Sequence, residues 1–384
     1  MNQNPKYTEY DACIVGAGIA GIFLAWLLGL QGKKILILEK NAKVNMNGAD
    51  ILKPSGINVL EKHGLLQELM NKECRVRDQL SVFHNGIQVD HINYKAENER
   101  GYFMVCPYSV LLETIYDKIQ AIKTIELLVN QSVSKINEVE NGVYVTLNSG
   151  EEIFSNILIG ADGTKSIVRE YAKIKAHFDY YDHVMYFNKY PITSSVEELN
   201  RLYVDKNGGL AYFYPINNTE ARCVLGFNME EGKNLKETGN KETLINRLKT
   251  FVTQSDDMLN QINSLDNFLT FPLCRMHSEQ YFKGRILLLG NAAHSIHPIT
   301  GQGMNLAIED TGELFIWLSK YFDGEISLEE ALAGYQEQRF ELNRKVLAYG
   351  HRLAGSFGSA EDFMNSLNSK IQTSSRDLSI LNKI

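Results

Sequence analysis

The apolar positions of the amino-terminal region fall into short unbroken runs separated by glycine-rich turns. Residues 11–15 form one run, Gly16-Ala17-Gly18-Ile19-Ala20-Gly21 follows, and residues 22–30 continue with helix-compatible apolar residues up to Gly32. Residues 34–38 make a second run that closes on Glu39. Short apolar runs without alternation predict strands buried on both faces, as in a parallel sheet. Residues 12–30 hold nineteen positions without a charge, close to the length of a membrane span. Glu9 and Asp11 stand where a signal sequence carries basic residues, and Gly16, Gly18, Gly21 and Gly29 interrupt the run. It reads as a buried strand and helix.

Two strand-like segments at 143–147 and 153–159 are joined by the turn Asn148-Ser149-Gly150, and the second ends in Gly160-Ala161-Asp162-Gly163. Residues 285–289 predict a strand, 290–294 a turn, and 306–318 a helix entered through the loop His297-Pro298-Ile299-Thr300-Gly301-Gln302-Gly303-Met304-Asn305. Between about 180 and 275 the runs 184–190, 210–216, 223–227 and 268–273 predict an antiparallel sheet, interrupted by a helical stretch at 241–254. Helical spacing returns from 342 to about 367, and the last residues are polar and read as mobile.

A length of 384 residues suggests two domains. A formal charge of −7 with no basic stripe argues against a nucleic-acid partner. Cys13, Cys74, Cys106, Cys223 and Cys274 show no CxxC spacing, which indicates neither a zinc site nor a disulfide framework and fits a reducing, cytoplasmic compartment. His294 and His297 lack an evident third ligand, so no metal is expected. No basic amphipathic pattern suggests membrane contact, and stable membrane insertion is not expected.

The first thirty residues of pattern carry the first chemistry. In G-x-G-x-x-G after a strand, the first glycine permits a tight turn, the second lets the backbone approach a pyrophosphate, and the third lets helix pack on strand. The pyrophosphate belongs at the helix N-terminus. Glu39 then accepts hydrogen bonds from the adenosine ribose. An adenine dinucleotide follows, NAD or FAD. In the third block, Pro298 and the glycines allow close backbone approach, and the helix behind them aims its positive end at the loop, which suits a reduced flavin.

Residues 16–21 with Glu39, 160–169, and 284–310, in that order, resemble the three cofactor motifs of the single-component FAD-dependent aromatic monooxygenases, the family of para-hydroxybenzoate hydroxylase and the ubiquinone-biosynthesis hydroxylases. The resemblance covers nearly the whole chain. Segments 47–56, 201–205, 208–216 and 297–310 are similar to the PqsL-type monooxygenases of alkylquinolone N-oxide biosynthesis. That type implies hydroxylation of an aromatic amine, and the broader family ring hydroxylation.

The resemblance implies an α/β chain (α+β overall). A Rossmann-type FAD-binding domain would take residues 1–75, 100–175 and 276–340, an interleaved antiparallel-sheet substrate domain 76–99 and 176–275, and a C-terminal helical segment 341–384. It assigns FAD to Gly16, Gly18, Ala20, Gly21, Glu39, Lys40, Asp162, Gly163, Arg169, Gly290, Asn291, Gly301, Gly303, Met304 and Asn305, with Pro298, Gly301 and Gly303 around the reacting edge. No side-chain nucleophile is required. Reduced FAD and O2 form a C4a-hydroperoxide that transfers one oxygen atom to a small aromatic substrate, the electrons coming from NAD(P)H directly or from a separate flavin reductase. The alternatives are a non-hydroxylating FAD-binding partner protein and an FAD-dependent dehydrogenase of the same fold.

Three positions depart from the family pattern. Asn291 replaces an acid, Asn47-Gly48-Ala49-Asp50 lacks an arginine common before Leu52, and Tyr108 stands for the arginine that opens the following helix. Pocket candidates are Tyr203, Tyr212, Phe213 and Tyr214, with Phe213 opposing Tyr212 and Tyr214 if the run is a strand. His294 suits a structural hydrogen bond. Arg222 and Arg275 read as surface strand residues, with binding of an acidic substrate as the alternative.

Overall fold

The computed structural model describes residues 9–97, 100–271 and 273–369, and the polar tail beyond them lies outside the described residues. The amino-terminal run forms the strand Glu9–Val15 and the helix Ile19–Leu30, followed by the strand Ile35–Glu39. Every helix residue from Ile19 to Gly29 is buried, because one side lies on the sheet and the other meets the helices Tyr108–Gln120 and Gly303–Phe322. A helix apolar all round needs such a double cover. That arrangement absorbs the uncharged stretch, and no helix among the described residues is long and apolar enough to cross a membrane.

Five parallel strands run in the spatial order Ile125–Val129, Ile35–Glu39, Glu9–Val15, Glu152–Gly160, Ile286–Leu288. The antiparallel strands Gly142–Leu147 and Val133–Val139 extend the Glu152–Gly160 side. All five carboxyl ends open in one direction, which in an open α/β sheet is where ligands bind. Gly16 stands at this edge with φ +109°, and a Cβ there would collide with the carbonyl of Ala161. The glycine is therefore demanded twice, by its dihedral and by its neighbour.

A second, seven-stranded sheet runs Leu269–Thr270, His183–Pro191, Glu220–Asn228, Leu210–Pro215, Asn200–Val204, Gln79–His84, Ile87–Asn93. Its pairs are antiparallel except Asn200–Val204 on Gln79–His84, which is parallel. Asn200–Val204 was not expected as a strand, and the run at 268–273 shrinks to Leu269–Thr270. The predicted helix at 241–254 ends at Lys249. An unpredicted helix, Met229–Thr238, precedes it, capped by the Asn228 side chain and ended by Gly239 in the left-handed region. It buries only Gly232 and Leu235, too little apolar pattern to read in advance.

The long helix Leu328–Ala354 starts on a capping box of Ser327 and Glu330 and packs along Gly303–Phe322. A buried carboxylate joins the two. Asp310 accepts from Arg339 Nε at 2.6 Å and Asn343 Nδ2 at 3.0 Å, and sits 2.5 Å from His294 Nε2. His294 thus has the structural role expected of it.

Candidate functional site

A cavity of about 770 Å³ lies between the carboxyl edge of the parallel sheet and the inner face of the seven-stranded sheet. That volume is ordinary for a site holding a small molecule or cofactor, roughly 300–1,000 Å³. In its nucleotide half the wall includes Gly16, Gly18, Ala20, Glu39, Lys40, Asp162 and Gly163. Glu39 accepts from Ala17 N at 3.1 Å and from Asn41 N at 3.0 Å and Nδ2 at 2.7 Å, so its carboxylate is held at the strand end. The helix N-cap is Gly18 and carries no side-chain cap, leaving the positive end of the dipole toward the cavity.

Asp162 Oδ2 accepts from Ile167 N at 2.7 Å and Val168 N at 3.3 Å, while Oδ1 is buried without a hydrogen-bond partner among the described residues. Burial pushes its pKa above the usual carboxylate range. An orphaned buried acceptor on a cavity wall is open to a donor from a ligand. With the glycine turn and Glu39, it makes a donor and acceptor set that fits a flavin adenine dinucleotide.

On the third motif, Asn291, Pro298, Gly301, Gly303 and Met304 line the cavity, and the uncapped N-terminus of Gly303–Phe322 points at it. Pro298 opens a single 3₁₀ turn closed by Gly301 at φ +60°. Four other residues assigned to the cofactor do not reach the cavity wall. Gly21 presses on the backbone of Gly16, where any side chain would collide, and Gly290 lies against Ala20 and Ala307. Asn305 is turned inward, accepting from Lys53 N at 2.7 Å and donating to Ile51 O at 3.0 Å and Gly301 O at 2.8 Å. Arg169 donates to Ala292 O and Thr164 O, both at 2.8 Å, and so braces the second motif against the third. These four hold the shape of the wall instead of lining it.

The substrate half is mostly apolar: Met185, Phe187, Leu202, Leu210, Tyr212, Tyr214 and Val224 face inward from the sheet, and Ile296 and Pro298 close the opposite side. Of the four aromatic candidates, Tyr212 and Tyr214 belong here, their rings 4.7 Å apart. Tyr203 and Phe213 do not. Strand alternation turns them to the other face, where they pack with Phe83 and with Leu244 and Leu248 of the covering helix.

Arg222 also departs from expectation. It is half-buried on the cavity wall, not a surface strand residue, and forks onto Asp50 with Nε–Oδ2 2.7 Å and Nη2–Oδ1 2.9 Å. Tyr214 donates to the same Oδ2 at 3.3 Å. Burial works against the Arg222 cation, but the Asp50 charge outweighs it and raises the pKa. Burial and then the Asp50 charge hold the Tyr214 phenol well above its ordinary value. Arg275, by contrast, sits near the surface on Asp179 at 2.6 Å, as read from sequence.

Two further residues shape the site: Tyr108, read from sequence as a replaced arginine, and Lys53, which was not singled out. Tyr108 accepts from Ile19 N at 3.2 Å, and its ring packs on Gly48, where a Cβ would lie 2.5 Å from Cγ. Lys53 is fully buried, lines the cavity, and donates to Tyr94 Oη at 3.0 Å. Asp50, Gly48 and Lys53 all fall in the segment 47–56, whose likeness was the available signal.

Comparison with known proteins agrees with this geometry. The solved structure of PqsL from Pseudomonas aeruginosa, described as a probable FAD-dependent monooxygenase, is 37% identical, with a TM-score of 0.90 over 94% of this chain and 100% of that one. The same protein is known in complex with 2-aminobenzoylacetate. The mitochondrial ubiquinone biosynthesis monooxygenase COQ6 of Mus musculus is 23% identical over 89% of this chain and 82% of its own length. Rifampicin monooxygenase of Streptomyces venezuelae is 24% identical over 88% and 70%. The profile of the FAD binding domain family matches residues 9–349. The chain therefore belongs to the FAD-binding-domain family of FAD-dependent aromatic monooxygenases.

Proposed function

We propose that this monooxygenase inserts one atom of O2 into a small aromatic amine. The observation that carries this reading is the aromatic-lined cavity pressed between the inner sheet face and the Pro298–Gly301 turn. Tyr212, Tyr214 and that turn line one cavity, which suits a planar ring, and PqsL, a relative at 37% identity, is known in complex with 2-aminobenzoylacetate.

Bound FAD supplies electron transfer and oxygen activation. The chain's own residues supply the surroundings. Gly16, Gly18, Glu39 and Asp162 would hold the dinucleotide, with Asp162 Oδ1 accepting from a hydroxyl. The N-terminus of Gly303–Phe322 stabilises negative charge that develops beside it. Met185, Leu202, Leu210 and Val224 keep water from the reacting edge, which favours oxygen transfer over peroxide release. Incubation of the reduced FAD-loaded protein with 2-aminobenzoylacetate under ¹⁸O2 should give a product carrying one ¹⁸O. Peroxide without product would favour a non-hydroxylating partner protein, and turnover without oxygen a dehydrogenase.

Tyr108 and Gly48 bear on the electron source. An uncharged contact fills the place where the family pattern has arginines, and this supports delivery of reduced flavin by a separate flavin reductase. Stopped-flow mixing with NADPH or NADH, with and without the aromatic ligand, should leave the bound FAD oxidised. Rapid bleaching by either nucleotide would show direct use of NAD(P)H.

A further inference from the structure

Two of the cysteines that lie far apart in sequence meet in the fold. Residues 75–105 make an excursion from the side of the parallel sheet. The chain leaves through the strand Arg75–Arg77, contributes Gln79–His84 and Ile87–Asn93 to the seven-stranded sheet, and returns through Phe103–Val105. The outgoing and returning strands pair antiparallel with Arg75 opposite Val105, so Cys74 and Cys106 face each other one step further on, at the neck of the excursion. Their Sγ atoms are 2.6 Å apart, and both are free thiols.

The backbone suits a bond between them. Cys106 N–H donates to Asp50 O at 2.7 Å, on the side of the neighbouring strand Ile51–Leu52, and so makes no ladder bond toward Cys74. A non-hydrogen-bonded antiparallel pair holds its Cα atoms about 4.5 Å apart, within the roughly 4.4–6.8 Å that a disulfide spans. Joining the sulfurs needs no rearrangement of the strands.

The two thiols differ in access. Cys106 is buried, whereas Cys74 is half-buried and follows the turn that carries Lys72. The hydrogen bond to Cys74 and then burial hold the Cys106 thiol well above its ordinary pKa, with Lys72 pulling the other way. A small oxidant therefore reaches Cys74 first, and Cys106 stands behind it as the resolving thiol. Cys13, Cys223 and Cys274 are buried in other strands.

We propose that Cys74 and Cys106 form a peroxide-sensitive dithiol, a reversible oxidation site whose disulfide braces the cofactor side of the cavity. The oxidant is hydrogen peroxide, which a flavin site releases when O2 is reduced without being transferred. The Cys74 thiolate attacks one peroxide oxygen, an S–O bond forms, the O–O bond breaks, and the departing hydroxide takes a proton and leaves as water. The Cys106 sulfur then attacks the Cys74 sulfenic sulfur. An S–S bond forms, the S–O bond breaks, and the hydroxyl leaves as a second water with the Cys106 proton. Two thiols and one H2O2 give one disulfide and two H2O, the sulfurs losing the two electrons that the peroxide gains. In a reducing compartment such a pair stays open until an oxidant arrives.

Closing the neck acts on the cavity through the next residues of the chain. Cys106 continues into Pro107 and Tyr108 on the wall, and its N–H holds Asp50 on the same wall. Tyr108 in turn receives Ile19 N of the dinucleotide-binding helix and packs on Gly48. The oxidised chain should therefore release FAD more slowly than the reduced one. Its urea midpoint should also rise, because the cross-link restricts the unfolded chain.

The test treats the full FAD-loaded chain with equimolar hydrogen peroxide, then alkylates and digests it without reductant. The thiol count should fall by two from five, and mass spectrometry should find the peptides of Cys74 and Cys106 joined. The rate of FAD release, followed by flavin fluorescence, and the urea midpoint should shift together and return with dithiothreitol. Cys74→Ser should lose the cross-link and both shifts while keeping the urea midpoint of the reduced wild type, which reports that it is folded. The wild-type readings need no variant. Retention of all five thiols overturns the proposal, as does sulfinic acid at Cys74 with Cys106 still a thiol, or a cross-link that leaves FAD release unchanged. Because the peroxide is added, none of these outcomes depends on whether the protein oxygenates a substrate.

Discussion

Tyr212 and Phe213 are adjacent in sequence and opposite in role. The period of two in a strand was legible beforehand, and with it the opposition of Phe213 to its neighbours, but not which face would meet the cavity. That was decided by helices covering one side of the sheet, and their contacts are not local. Phe213→Ala should cost about 3–5 kcal/mol in urea unfolding, because its ring is fully buried, and should leave ligand affinity unchanged. A weakened ligand with unchanged stability would place Phe213 back in the pocket. Arg222 was misread for a related reason: its partner Asp50 is 172 residues away, and no local pattern distinguishes a strand arginine facing solvent from one facing a carboxylate. Lys53 has a stability signature of its own. Its folded pKa of about 7 lies below the ordinary 10.5, so between those values the unfolded chain binds more protons and folding strengthens as pH rises. The advantage of Lys53→Met over wild type should be greatest below pH 7 and shrink by up to ~1.4 kcal/mol per pH unit toward 10.5. Denaturant titrations of both proteins across that range would show it, and parallel pH curves would contradict it.

At the scale of elements, the third motif works because two helices are clamped behind it. Asp310 on Gly303–Phe322 receives Arg339 and Asn343 from Leu328–Ala354 and faces His294 from the turn. Burial favours its neutral acid, but Arg339 and His294 outweigh burial and pull the pKa down to about 2. The folded value lies below the ordinary one of 3.8, so this stability is complete above about pH 4 and is lost as pH falls toward 2. Asp310→Asn should cost about 3–5 kcal/mol near neutrality, because it leaves the Arg339 cation buried beside an amide. It should also flatten the acid limb of the stability curve, and an acid limb like that of wild type would refute this assignment. The helix at 306–318, entered at about Met304, was visible in the sequence, and it runs from Gly303 to Phe322. Met229–Thr238 stayed hidden because a polar surface helix shows almost no periodicity.

At the scale of the molecule, the two halves of the site differed in how far they could be read. The nucleotide half is encoded locally: strand, glycine turn, helix, strand and Glu39 fall within about thirty residues, so spacing alone implied the pyrophosphate and ribose contacts. The substrate half is assembled by pairings such as Asn200–Val204 on Gln79–His84, more than a hundred residues apart, which no window of sequence contains. The cavity draws its wall from both sheets and from the Pro298–Gly301 turn of the third motif, with lining residues from Val15 to Ala307. FAD should therefore stabilise the chain as one unit, by about 2.7 kcal/mol at a free concentration one hundred times its Kd. Hydrogen exchange read strand by strand tests the coupling. Amides of Leu210–Pro215, which hold no part of the dinucleotide motifs, should slow by the same factor as those of Glu9–Val15 when FAD is added. Protection confined to Glu9–Val15 would mean that the seven-stranded sheet opens independently of the cofactor, and the cavity would then be closed by substrate instead of by folding.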